Sequence, residues 1–87
     1  MRHFKDPDFR PLYEALPPRV QRVADKNFAL LKQDPNHPSL HFKRIRNDLW
    51  SVRVGRHYRA LAIEGEDGFH WFWIGSHADY DKLISRL

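Results

Sequence analysis

The sequence predicts an α+β domain: two N-terminal helices packed on one face of a small antiparallel sheet, followed by a short C-terminal helix. Three observations carry this. Apolar residues recur at helical spacing through residue 32. From residue 39 the period changes to the alternation of strands. After residue 76 the helical spacing returns and runs to the last residue.

Residues 2–5 read as an optional edge strand. Asp8 is a candidate N-cap, and Phe9, Leu12, Tyr13 and Leu16 give a short helix over residues 9–16. Pro11 falls in its first turn, where a missing N–H is harmless. Pro17-Pro18 ends it and opens a second helix, because proline suits the first helical position. Over residues 19–32, Val20, Val23, Ala24, Phe28 and Leu31 form one apolar stripe. The run Gln33-Asp34-Pro35-Asn36-His37-Pro38 is a loop. Leu40 and Phe42 then alternate with His41 and Lys43, which reads as a strand beginning near Ser39. Asn47-Asp48 marks a turn. Residues 69–74 are nearly all aromatic or aliphatic, as in a strand covered on both sides. Gly75-Ser76-His77-Ala78-Asp79 leaves the sheet, and Ser76 with Asp79 has the spacing of a weak capping box. Tyr80, Leu83, Ile84 and Leu87 give the last helix.

The hairpin over residues 50–62 is the most informative segment. With Gly55, Arg56 and His57 in the turn, Val54 pairs with Tyr58 and Val52 with Ala60. Trp50, Val52, Val54, Tyr58, Ala60 and Ala62 then share an apolar face, which buries the stripe of the second helix. The same register sets Arg53 opposite Arg59. Like charges opposed across strands are destabilising, so the pair implies a use for two fixed cations, such as holding an anion. A two-residue turn would turn Arg59 into the apolar face, which argues against it.

Residues 1–87 read as one domain with one modest core. No stretch is long or apolar enough to span a membrane, and the first residues lack the apolar run of a secretory signal. The chain has no cysteine, which rules out disulfides and thiolate metal sites and fits a cytoplasmic location. A net charge of +4 without its 6 histidines suits an anionic partner, whether nucleic acid or an acidic protein, and equally suits solubility alone.

Two groups of residues carry possible chemistry. Lys43, Arg44, Arg46, Arg53, Arg56 and Arg59 are cations that a sheet could arrange along a phosphate backbone, and the arginine fork suits phosphate oxygens. Lys43, Arg44, Arg46 and Arg56 are more simply read as solvated loop charges; Arg53 and Arg59 favour function. The second group is His77 and Tyr80, where a buried strand gives way to a helix. Histidine is the side-chain type whose unperturbed pKa lies near neutrality, and His77 is the one at this junction. Tyr80 can stack on a base, but it also shares the core stripe of Leu83, Ile84 and Leu87. The remaining histidines show no metal-ligand spacing, so no metal and no cofactor is expected. No convincing carboxylate pair is present.

The pattern Val52-Arg53-Val54-Gly55…Tyr58-Arg59, followed by Trp73-Ile74-Gly75-Ser76-His77 and preceded by Pro38-x-Leu40 and Lys43-Arg44, resembles the RelE/ParE superfamily of bacterial type II toxins. The order of elements agrees over nearly the whole chain. RelE-like members cut mRNA in the ribosomal A site, whereas ParE-like members inhibit DNA gyrase. In both cases a cognate antitoxin protein is implied as partner. By this resemblance Arg59 matches the arginine set on the scissile phosphate, and Arg53 falls near the strand cations that hold the mRNA. His77 falls where nuclease members carry a basic residue. Tyr80 matches the stacking tyrosine only approximately, because the spacing after Gly75 is shorter. The resemblance thus implies a metal-independent endoribonuclease acting with the ribosome. Its alternatives are a non-enzymatic gyrase inhibitor and a non-toxic antitoxin-binding relative.

Overall fold

A computed structural model describes residues 2–87. The chain runs β1 (His3–Lys5), α1 (Phe9–Glu14), α2 (Pro18–Gln33), a single 3-10 turn (Pro38–Leu40), β2 (Lys43–Arg46), β3 (Leu49–Val54), β4 (Tyr58–Gly65), β5 (Gly68–Ser76) and α3 (His77–Arg86). The sheet order is β1-β5-β4-β3-β2. Strands β2 to β5 form the expected antiparallel meander. β1 pairs with β5 in parallel, with Phe4 opposite His70, so the sheet is mixed rather than antiparallel throughout.

The hairpin has the expected register, with Val54 opposite Tyr58, Arg53 opposite Arg59 and Val52 opposite Ala60. Gly55 opens its turn at φ 64°, a left-handed conformation that glycine adopts without steric cost. Val52, Val54, Ala60, Ala62, Trp71 and Ile74 face α1 and α2, where they meet Phe9, Val20, Ala24 and Leu31. Val23 departs from the expected stripe: it lies 37% exposed at the rim, against Gly55. The opposite face is covered by α3, with Tyr80 buried against Leu49 and Leu61 and with Leu83 and Ile84 packed around them.

A bulge in β5 shares its aromatic run between the two faces. Leu61 pairs with Trp73 and Ala62 with Trp71, which leaves Phe72 as the extra residue. Trp71 therefore faces the α1–α2 core, and Trp73 and Phe72 face α3. Two local expectations change. Ser39 and Leu40 belong to the 3-10 turn, so the strand begins only at Lys43. Asp8 has helical dihedrals and makes no side-chain cap, whereas Ser76 caps α3 by accepting from the Asp79 N–H at 3.1 Å.

His3 makes the edge strand sensitive to acid. Its ring stacks near Phe69 and Trp71 and meets Phe28 edge-on. Trp71 Nε1 donates to its Nδ1 at 3.0 Å, so the ring proton sits on Nε2, which is buried with no partner among the described residues. Burial first, and then the Lys32 charge, hold the His3 pKa below the ordinary 6.5. The unfolded chain therefore takes up this proton more readily than the folded one. The contribution of His3 is complete above about pH 6.5 and declines as pH falls below it. Thermal unfolding is expected at a lower temperature at pH 5 than at pH 7.5. His3→Gln, which keeps an acceptor for Trp71 but does not titrate, should flatten that dependence; an unchanged slope would show that His3 is not its source.

Candidate functional site

Arg53 and Arg59 project side by side from β3 and β4 onto the sheet face that α3 leaves open beside its N-terminus. The strand register places them there, and three contacts orient them. The Asn27 amide donates to the Arg53 carbonyl at 3.2 Å, which ties the end of β3 to α2. Arg53 Nε donates to the Gly55 carbonyl at 3.2 Å across the turn. The Arg59 guanidinium lies over the Tyr80 ring, with its central carbon 5.1 Å from the ring centre, a cation–π contact of about 0.5–2 kcal/mol.

β5 runs alongside Arg59. Gly75 stands opposite Arg59, and the Trp73 indole covers it so closely that a Cβ there would come within 2.6 Å of the ring. The chain then turns into α3. The His77 N–H donates to the His57 carbonyl at 2.7 Å, which draws the helix N-terminus onto the hairpin turn. His77 Nε2 lies 3.5 Å from Asp81 one helical turn on. From the other side, the 3-10 turn ends at His41, whose φ of 45° lies in the left-handed region. This curl brings its Nε2 to 3.4 Å from Arg53 Nη1.

The result is one open cleft lined by His41, Arg53, Arg56, Tyr58, Arg59 and His77. Three guanidiniums share it, and among the described residues no carboxylate pairs with any of them. Arg59 Nη1 is buried with no hydrogen-bond partner among those residues. Buried donors are rarely left unpaired, and charged ones least of all, so this nitrogen marks where an acceptor belongs. Cations that repel one another around an unfilled donor are chemically suited to an anion, and the forked geometry to a phosphate.

The other expected site residues scatter. Lys43 pairs with Ser51 and so shares the sheet face of Arg53. Arg44 pairs with Trp50 on the opposite face and lies over its indole at 5.9 Å. Arg46 stands at the far end of β2, beside Asn47, Asp48 and Leu87. Tyr80 is buried beneath Arg59, so it seats that guanidinium and holds α3 instead of offering a free face to a base. His41 is the cleft residue that the sequence does not reveal. Its position depends on one left-handed residue after a 3-10 turn, and the only trace of that is a residue type tolerant of the conformation.

Fold and cleft together define a small α+β domain with a basic, arginine-lined cleft. A family model for the ParE-like toxin domain matches residues 18–82, and the chain belongs to that family. The fold is similar to a chain of the RelB–RelE antitoxin–toxin complex of Methanococcus jannaschii, with a TM-score of 0.72 at 12% identity over 92% of this chain and 96% of that one. It is similar to a chain of the RelBE2 toxin–antitoxin complex of Mycobacterium tuberculosis, with a TM-score of 0.65 at 21% identity over 86% and 95%. It is also similar to the isolated RelE toxin of E. coli, with a TM-score of 0.64 at 13% identity over 97% and 95%. No curated protein matches the chain in sequence.

Proposed function

We propose that this chain is the toxin of a type II toxin–antitoxin pair and acts as a ribosome-dependent endoribonuclease on mRNA. The observation that carries the reading is the convergence of Arg53, Arg56 and Arg59 with two histidines in one cleft, with the buried Arg59 Nη1 unpartnered. RNA supplies its own nucleophile, the 2′-hydroxyl beside the scissile phosphate. The protein must stabilise the charged phosphorane and move two protons. Arg59 is suited to the phosphorane, Arg53 and Arg56 to the backbone on either side, and His77 to one proton transfer. Lys43 extends the cation track on the same face. The ribosome would position the mRNA, which accounts for so spare a site.

Primer extension on mRNA after induced expression tests this directly: discrete cuts in translated messages are expected. The ParE-like description of the matching family favours a second reading, inhibition of DNA gyrase. Growth arrest with intact mRNA and failing DNA supercoiling would establish that reading in place of the first.

The likeness to antitoxin–toxin complexes supports a cognate antitoxin as partner. An acidic, largely disordered segment that covers the Arg53/Arg59 face, or displaces α3, fits the unpaired cations there. Its affinity is expected to fall as salt rises, because exposed charge pairs are screened. Calorimetry across a sodium chloride series checks this. A salt-insensitive complex that leaves both arginines exposed would refute it.

A further inference from the structure

We infer that His41 is the second proton-transfer group of the cleft, acting as general base while His77 acts as general acid. The inference rests on the nuclease reading above. It starts from the placement of two imidazoles in one arginine-lined cleft: His41 arrives from the 3-10 turn and His77 from the start of α3. His41 holds φ 45°, a conformation that side-chain-bearing residues rarely adopt, and such strain collects at functional positions.

The neighbours of the two rings suit them to different roles. His41 Nε2 faces Arg53 Nη1 at 3.4 Å, and a guanidinium has donors only. That nitrogen is therefore an acceptor here, its lone pair turned toward Arg53 across the cleft that both residues line. His77 Nε2 faces Asp81 Oδ2 at 3.5 Å, and a carboxylate only accepts, so a proton carried by this ring has a partner there. The charged groups facing the two rings are thus Arg53, Arg56 and Arg59 from the hairpin and Asp81 from α3.

In the reaction, His41 takes the proton of the 2′-hydroxyl as its oxygen bonds to phosphorus. The bond from phosphorus to the 5′-oxygen breaks, and His77 gives that oxygen a proton. The products are a 2′,3′-cyclic phosphate and a 5′-hydroxyl end. No redox partner is needed, and the two imidazoles exchange protonation states.

The test uses single-turnover cleavage of ribosome-bound mRNA across pH. His41→Asn is the informative variant, because asparagine tolerates the left-handed conformation and keeps the backbone in place; His41→Gly serves as a second. Both are expected to cut about 100-fold or more slowly than wild type, to bind a 2′-deoxy mRNA unchanged, and to unfold at the wild-type temperature. A base must be unprotonated, so its loss removes the rise in rate on the acidic side of the profile. His77→Gln should remove the fall on the alkaline side. A substrate with sulfur at the 5′ bridging position, whose thiolate leaves without a proton, should rescue His77→Gln and not His41→Asn. If both His41 variants cut at the wild-type rate with the acidic limb intact, the assignment of His41 is wrong while the nuclease reading stands. If the wild-type protein cuts nothing, the nuclease reading fails and this assignment with it.

Discussion

Arg59→Ala is expected to abolish growth arrest and to lower single-turnover cleavage of ribosome-bound mRNA by about 100- to 1,000-fold, the usual cost of removing one donor preset for transition-state charge. The fold should survive. The substitution relieves the repulsion between two like charges opposed across β3 and β4, and that relief offsets the cation–π attraction to Tyr80 that goes with the guanidinium. Arg59→Lys restores a charge without the planar fork and should recover only part of the rate. Arg53→Ala should behave differently. Its guanidinium is partly occupied by the Gly55 carbonyl and by His41, so its removal falls on binding more than on the chemical step. Affinity for the message should weaken, and its salt dependence should flatten by about one phosphate contact. An Arg59→Ala protein that arrests growth as wild type does would remove the phosphate from the account of this cleft and leave the surface of α3 as the place to look for gyrase contact.

The parts of this molecule that were legible in the sequence are those set by local chemistry. The hairpin register followed from one contrast: six apolar side chains on one face against Arg53 and Arg59 on the other, with a glycine placed for a left-handed turn. The capping of α3 by Ser76 followed from spacing alone. What escaped depends on pairing between distant segments or on single dihedrals. β1 joins β5 in parallel, so His3 meets Phe69 across most of the chain, and three residues carry no period that could announce it. The bulge at Phe72 decides which tryptophan faces which core, yet an unbroken aromatic run looks the same with or without it. The six cations between Lys43 and Arg59 read as one group, but the pleat sends Arg44 to the far face and the length of β2 carries Arg46 to the far end. His41 entered the cleft through one left-handed residue.

Tyr80 is where the two accounts of the site make opposite forecasts. As a stacking platform for a base, its side chain would be exposed and its removal would cost affinity and little stability. In the structure it is 9% exposed, packed against Leu49 and Leu61, with Trp73 and His77 beside its ring and Arg59 above it. Tyr80→Ala is therefore expected to destabilise the protein by about 3–5 kcal/mol, as for other large aromatic truncations in cores. A small domain has a total stability of only about 5–15 kcal/mol, so this loss can take much of it. Chemical denaturation measures the effect. Tyr80→Phe keeps the ring, and with it the packing and the seat of Arg59; the hydroxyl makes no hydrogen bond within the described residues. That variant should hold stability to within about 1 kcal/mol and should cut mRNA at close to the wild-type rate. Because α3 begins at His77 and is held down by Tyr80, the alanine variant should also lose cleavage at temperatures where it is still folded, as His77 and Arg59 lose their fixed positions. A stable Tyr80→Ala protein that binds message weakly would return Tyr80 to the base-stacking role and would mean that α3 lifts from the sheet when RNA enters.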